Sequence, residues 1–271
     1  MRETYVHGYH RRENERLQDQ AGTLVDLLHS DTVFPDGSSV LEVGCGVAAQ
    51  TVTLGRRNPG AQFTSIDISA DSIAEAERRV NQAGLANVKF LQADIFALPF
   101  DEGCFDHVCV CFVLEHLTRP MEALTILKGM LVPGGTATVI EGDHGSTYFH
   151  PNSAAAGAAI QCLIELQREA GGNALIGRQL YPLLMGAGFD GVDVSPRMVY
   201  VDSSRPHLVD GFTRKTFTAM IEGIREPAIT AGLIEPEWFD AGVRDLHRTT
   251  EADGVFCYTF FKGVGTRNAH S

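Results

Sequence analysis

Apolar positions along the chain switch between two spacings. Leu17, Ala21, Leu24 and Leu28 recur at intervals of four, three and four, which puts them on one face of an N-terminal helix. Residues 32–39 then hold Pro35, Asp36 and Gly37, a turn signal. Beyond it, short apolar runs alternate with stretches of helical period. Residues 39–43 predict a buried strand that stops at Gly44, and residues 49–54 the helix after it. Residues 62–68 predict a second strand. Ser69 is placed to cap the next helix, whose apolar positions Ile73, Ala76, Val80 and Ala83 keep the period until Gly84 ends it. Residues 88–92 predict a third strand. Residues 105–113 predict a fourth, apolar enough to be covered on both faces. Pro120 opens a helix carrying Leu124, Leu127 and Leu131. After the Gly134-Gly135 turn, residues 136–140 predict a fifth strand.

Alternation of strand and helix over residues 38–141 implies right-handed crossovers and a doubly wound, mostly parallel α/β sheet. Past Glu141 the pattern loosens. Residues 154–170 and 179–187 predict helices, 192–201 a strand interrupted by Pro196, and 206–250 a mostly helical addition. Residues 255–261 predict a last, antiparallel strand. The implied organisation is an N-terminal helical lid over 1–37 and one domain over 38–271. Its cofactor-binding half is 38–142 and its acceptor-side half 143–271. Ligands of such sheets bind past the carboxyl ends of the strands, so the chemistry is sought there.

Composition narrows the partners. The 271 residues carry 22 basic and 34 acidic side chains, a formal charge of −12, with no clustered Lys and Arg of the kind that binds phosphate backbones. No nucleic-acid partner is expected. The longest apolar run, Val108 to Leu114, has seven residues, against the ~20 that span a bilayer, so no membrane partner is expected either. The charged N-terminus does not read as a secretory signal. Cys45, Cys104, Cys109, Cys111, Cys162 and Cys257 show no CxxC spacing. A reducing, cytoplasmic setting is expected, with no metal site.

The candidate chemistry centres on Glu42-Val43-Gly44-Cys45-Gly46-Val47-Ala48. GxGxxA after a strand also suits a dinucleotide fold, so the glycines alone decide little. Glu42 decides more. Its carboxylate opposes the pyrophosphate of a nicotinamide or flavin dinucleotide and favours the ammonium and sulfonium of S-adenosylmethionine. Asp67 ends the second strand, 21 residues after Gly46, where a carboxylate accepts ribose hydroxyls. Asp94 follows the third strand, positioned for an adenine amino group, with Ile95 to pack on the ring. Three acids at three consecutive strand ends suit a cationic, phosphate-free adenosyl ligand.

These segments resemble the class I S-adenosylmethionine-dependent methyltransferases. VLEVGCG is similar to the family's first motif, SID with Asp67 to its second and QADIFALPF with Asp94 to its third. FDHVCVCFVLEHL resembles its fourth strand and LVPGGTATVIEGD the turn and strand that follow. The match covers about residues 38–142, with Ala48 where a third glycine often stands. The resemblance implies cofactor contacts at Glu42, Gly44, Cys45, Gly46, Gln50, Asp67, Ile68, Asp94, Ile95, Cys111 and Phe112. A looser resemblance, carried by Tyr9, Arg12, Glu13, Leu17, Gln20, Ala21 and EGDHGS, is to bacterial small-molecule methyltransferases. Some of these act on prenylated indoles and cover the site with an N-terminal helix, at times across a dimer. It implies a small-molecule acceptor, of indole, prenylated or other aromatic type, and a homodimer through that helix.

Catalytic candidates follow the later strands. His144 is a general base or a histidine bonded to nearby backbone. Glu141 orients it, stabilises a cation, or forms a salt bridge. Glu115 and His116 line the space between cofactor and acceptor or cap a helix. Tyr9 reaches over the cofactor or lies on the surface. Arg178 and Arg197 bind an acceptor carboxylate or pair on the surface. Two rival functions stay open: a nicotinamide-dependent oxidoreductase and a non-catalytic S-adenosylmethionine-binding module.

Overall fold

A computed structural model describes residues 23–268. Residues 23–29 are helical; Tyr9 and the first half of the predicted N-terminal helix lie outside the described residues. Seven strands follow: β1 (Ser39–Val43), β2 (Gln62–Asp67), β3 (Val88–Gln92), β4 (Phe105–Cys111), β5 (Leu131–His150), β6 (Asp190–Asp202) and β7 (Val255–Thr266). They form one sheet in the order β3-β2-β1-β4-β5-β7-β6. The first five run parallel, and β7 is antiparallel to both its neighbours. The order reverses at β1, and the crevice between β1 and β4 opens there, beside the Gly44 loop.

The helices sit where the apolar period put them. Ser69 caps the helix Ala70–Gln82, its hydroxyl accepting from the Ser72 amide, and Pro120 opens Pro120–Met130. Along β5 successive side chains face opposite ways. Val139 packs with Val108, Leu127 and Leu180 on one face, and Ile140 with Leu163, Phe212 and Phe260 on the other. The second face is covered by the helices Ala154–Glu169 and Pro236–Arg248 and by the π-helical stretch Val209–Thr218.

Three strands depart from expectation, β7 by running on to Thr266 beside β5 and β6. β4 ends at Cys111 rather than residue 113 because Phe112 takes a left-handed backbone, φ +60°, which turns the chain out of the sheet. β5 runs on to His150 through a polar, Gly-containing stretch. There β7 supplies the hydrogen-bonding partner, with a register shift between Asp143 and Tyr148. Pro196 lies in β6 at the sheet edge, where its missing N–H breaks no ladder.

Candidate active site

The loop after β1 is built by backbone strain and one carboxylate. Gly44 and Gly46 take φ of +68° and +51°, angles that cost other residues about 1–2 kcal/mol. A Cβ on Gly44 would also run into the Val113 side chain. Ala48 holds the same left-handed backbone, φ +63°, without glycine's freedom. Asp67 fastens the loop to β2: its Oδ2 accepts the Gly46 amide and its Oδ1 the Ser69 amide, both at 2.9 Å. Burial raises the Asp67 carboxyl, and these amides pull it partly back.

Glu42 sits differently from a direct ligand to the cofactor. It is buried beneath the loop, its Oε2 accepting from Ser65 Oγ at 2.6 Å and its Oε1 from Thr51 Oγ1 at 3.0 Å. Burial pushes it up to about 7, against those two hydroxyls, and the Asp67 charge adds to the rise. Gln50, on the helix Ala49–Arg57, is held by His29, whose Nε2 lies 2.9 Å from its Oε1. This contact ties the first described helix to the cofactor loop.

Further along the crevice, Ile68 is 59% exposed beside Asp67, an apolar surface beside a carboxylate. Asp94 is exposed, its Oδ1 accepting the Phe96 amide at 2.9 Å. Ile95 is turned largely into the core with Leu41 and Val43, so the apolar wall here is Ile68. Cys45 is buried, while Cys111 and Phe112 are half-buried at the end of β4. Among the described residues no lysine or arginine pairs with Glu42, Asp67 or Asp94. The unneutralised acids and the exposed Ile68 fit a cationic adenosyl group; they do not fit a pyrophosphate.

Past β4 and β5 the structure gathers His144, Glu115 and His116, and corrects one reading. Glu141 does not face an acceptor. It is wholly buried, and its Oε1 accepts the amides of Val113 and Leu114 at 3.0 and 2.8 Å, fixing the turn Leu114–His116. Burial, then the nearby Glu115 charge, holds its carboxyl well above the usual range. Oε2 is buried without a hydrogen-bond partner. His144 has Nδ1 in a hydrogen bond and turns Nε2 toward Glu115. Nδ1 lies 2.9 Å from Tyr258 Oη, and Nε2 3.6 Å from Glu115 Oε2. His116 Nε2 lies 3.5 Å from the other Glu115 oxygen.

Tyr258, on β7, is a residue the sequence did not single out; its phenol meets His144 only because β5 and β7 pair. Arg178 and Arg197 are both in ion pairs. Arg178 forks onto Asp143 at 2.7 and 2.8 Å, and Arg197 pairs with Asp31, which also takes the buried Lys262. Phe212 and Phe217 are buried in the core, whereas Tyr148 and Trp238 are exposed.

The sheet order, the acidic glycine loop and the strand-end carboxylates together define a methyltransferase domain. Residues 41–139 match the family described as a methyltransferase domain, and this part of the chain is a class I S-adenosylmethionine-dependent methyltransferase domain. An uncharacterized 37.1 kDa protein in transposon TN4556 of Streptomyces fradiae is 30% identical over 211 residues, 75% of this chain and 57% of that protein. A demethylmenaquinone methyltransferase of Thermus thermophilus is 35% identical over 102 residues, 38% of this chain and 46% of the enzyme. The chain thus spans about half the length of these curated relatives. Among solved structures, phosphoethanolamine N-methyltransferase 2 of Haemonchus contortus, with S-adenosylhomocysteine bound, shares the fold. Its TM-score is 0.56 at 15% identity, covering 92% of this chain and 52% of that one.

Proposed function

We propose that the chain moves a methyl group from S-adenosylmethionine to a small-molecule acceptor, of indole, prenylated or other aromatic type. The observation that carries the reading is the set of unpaired carboxylates, Glu42, Asp67 and Asp94, at the ends of β1, β2 and β3. When bound, S-adenosylmethionine supplies an electrophilic methyl on a sulfonium sulfur. Asp67 holds the ribose hydroxyls, Asp94 the adenine amino group and Ile68 the adenine face. Glu42 favours the two cationic centres from beneath. Cys111 and Phe112 flank the reacting end. Transfer is an in-line displacement, so holding the acceptor along the sulfur–carbon axis supplies much of the catalysis, roughly 7–11 kcal/mol in favourable cases.

The acceptor half is residues 143–271, where Tyr148, Tyr200 and Trp238 are exposed. Residues 1–37 act as a lid, over their own site or a partner's in a homodimer. Sedimentation as a monomer at micromolar concentration contradicts the dimer. The test of the cofactor reading is Asp67→Asn. It keeps the shape of the side chain but weakens its hold on the ribose, so S-adenosylmethionine affinity is expected to fall at least tenfold. Affinity within twofold of wild type removes Asp67 from the site.

A further inference from the structure

Glu115, His144 and Tyr258 come from three places in the chain and meet in one line. Tyr258 is deepest, at 2% exposure; His144 and Glu115 follow at 7% and 9%, and half-buried His116 stands at the rim. Tyr258 Oη lies 2.9 Å from His144 Nδ1, in reach to donate its hydrogen there. With the phenol donating to Nδ1, the ring proton sits on Nε2, which faces the Glu115 carboxylate at 3.6 Å. Gln167 adds a second donor, its Nε2 lying 3.2 Å from the same Glu115 oxygen and 3.1 Å from the Glu115 carbonyl. Gly142 leaves space for the phenol; a Cβ there would collide with Tyr258 Oη. Glu141 anchors the turn that carries Glu115. The outcome is a carboxylate placed just past β4, with donors around it that orient it.

We propose that Glu115 takes the proton from an acceptor whose nucleophilic atom bears hydrogen, with His144 and Tyr258 as positioning residues that fix it. This rests on the methyl-transfer reading above. The acceptor's X–H bond breaks as X–CH3 forms. The S–CH3 bond breaks, its electron pair staying on sulfur, and the proton passes to a Glu115 oxygen. From there His116, 3.5 Å from Oε1, leads it to the rim. The substrate class is neutral aromatics with an N–H or O–H, for which phenol and indole stand as probes.

The experiment compares wild type with Glu115→Gln, His144→Gln and Tyr258→Phe on phenol, 4-nitrophenol, indole and 1-methylindole, reading S-adenosylhomocysteine release from pH 6 to 10. Glu115→Gln is expected to lose about 100-fold on phenol and indole, the scale of a general base. It loses under threefold on 4-nitrophenol, which is already ionised at pH 8. Its rate on phenol then climbs with pH where the wild type levels off. Tyr258→Phe and His144→Gln shift the acid limb of the profile upward while S-adenosylmethionine affinity stays within twofold. Independently of turnover, 15N shifts of His144 in the ligand-free protein show Nε2 protonated and Nδ1 bare, a preference that Tyr258→Phe weakens. Thermal melts check that each variant is folded. Equal losses on phenol and 4-nitrophenol overturn the proposal. So does the opposite tautomer, or 1-methylindole turned over as fast as indole. A protein that binds S-adenosylmethionine yet methylates none of the probes overturns the substrate class and this proposal with it. One that does not bind it overturns the methyl-transfer reading instead.

Discussion

Replacing Glu42 by glutamine is expected to stabilise the ligand-free protein above neutral pH while weakening cofactor binding. In the folded chain Glu42 is held at about 7, against its ordinary 4.5. The fold therefore keeps a proton that the unfolded chain releases, and stability falls as pH rises from 4.5 through 7. The difference of ~2.5 pK units corresponds to a penalty of about 3 kcal/mol, nearly complete by pH 8 and reduced to about a quarter at pH 5. Glutamine fills the same space and has no proton to lose. Of Ser65 and Thr51, which now donate to Glu42, one keeps donating to the amide oxygen and the other rotates to accept from the amide NH2. Any residual mismatch is a constant that does not change with pH. Urea unfolding of both proteins at pH 5 and pH 8 should show the advantage of Glu42→Gln growing by about 2–3 kcal/mol between the two. S-adenosylmethionine affinity should fall at least tenfold in the same variant. An advantage that is the same at both pH values refutes the reasoning, whatever its size.

Other outcomes follow from the same contacts. Because a cationic ligand favours the ionised form of Glu42, wild-type affinity for S-adenosylmethionine should rise from pH 6 to 8, with proton release visible as buffer-dependent binding enthalpy; a flat affinity with no released proton contradicts it. Gly44→Ala meets both a left-handed backbone and the Val113 side chain. It should cost about 2 kcal/mol or more in chemical denaturation and abolish cofactor binding; near-native values would mean the loop is not as tight as it is drawn. Glu141→Gln retains the oxygen that accepts the Val113 and Leu114 amides and should stay within about 1 kcal/mol of wild type. Glu141→Ala abandons two buried amides and should lose about 2–4 kcal/mol. Equal effects of the two would show that the amide contacts contribute little.

Much of this was written in the chain, for physical reasons that differ by region. Residues 39–111 are legible because every local signal agrees: Ser69 caps where a cap is needed, Gly44 and Gly46 turn where a ligand must approach, and the apolar period changes at each junction. The stretch 141–150 is not, because its strand exists only through pairing with β7, more than a hundred residues away. The end of β4 is misread for a related reason: Phe112 and Val113 are apolar, and only the backbone angle at Phe112 shows that the strand has stopped. At the site, the residue types and strand ends were readable, but the direction of each carboxylate was not. Glu42 turns to Ser65 and Thr51, and Glu141 to backbone amides, through contacts that link separate strands. Tyr258 was hidden because its meaning lies in a partner 114 positions earlier.

The account depends most on the glycine loop being an acidic cradle for a cationic adenosyl group. Calorimetric titration of the protein with S-adenosylmethionine, S-adenosylhomocysteine and NADH, side by side at pH 8, tests this directly. Binding of both adenosyl ligands with no heat from NADH is the expected result, with S-adenosylmethionine the tighter because it alone carries the sulfonium charge. Binding of NADH with neither adenosyl ligand contradicts the cradle and restores the oxidoreductase reading.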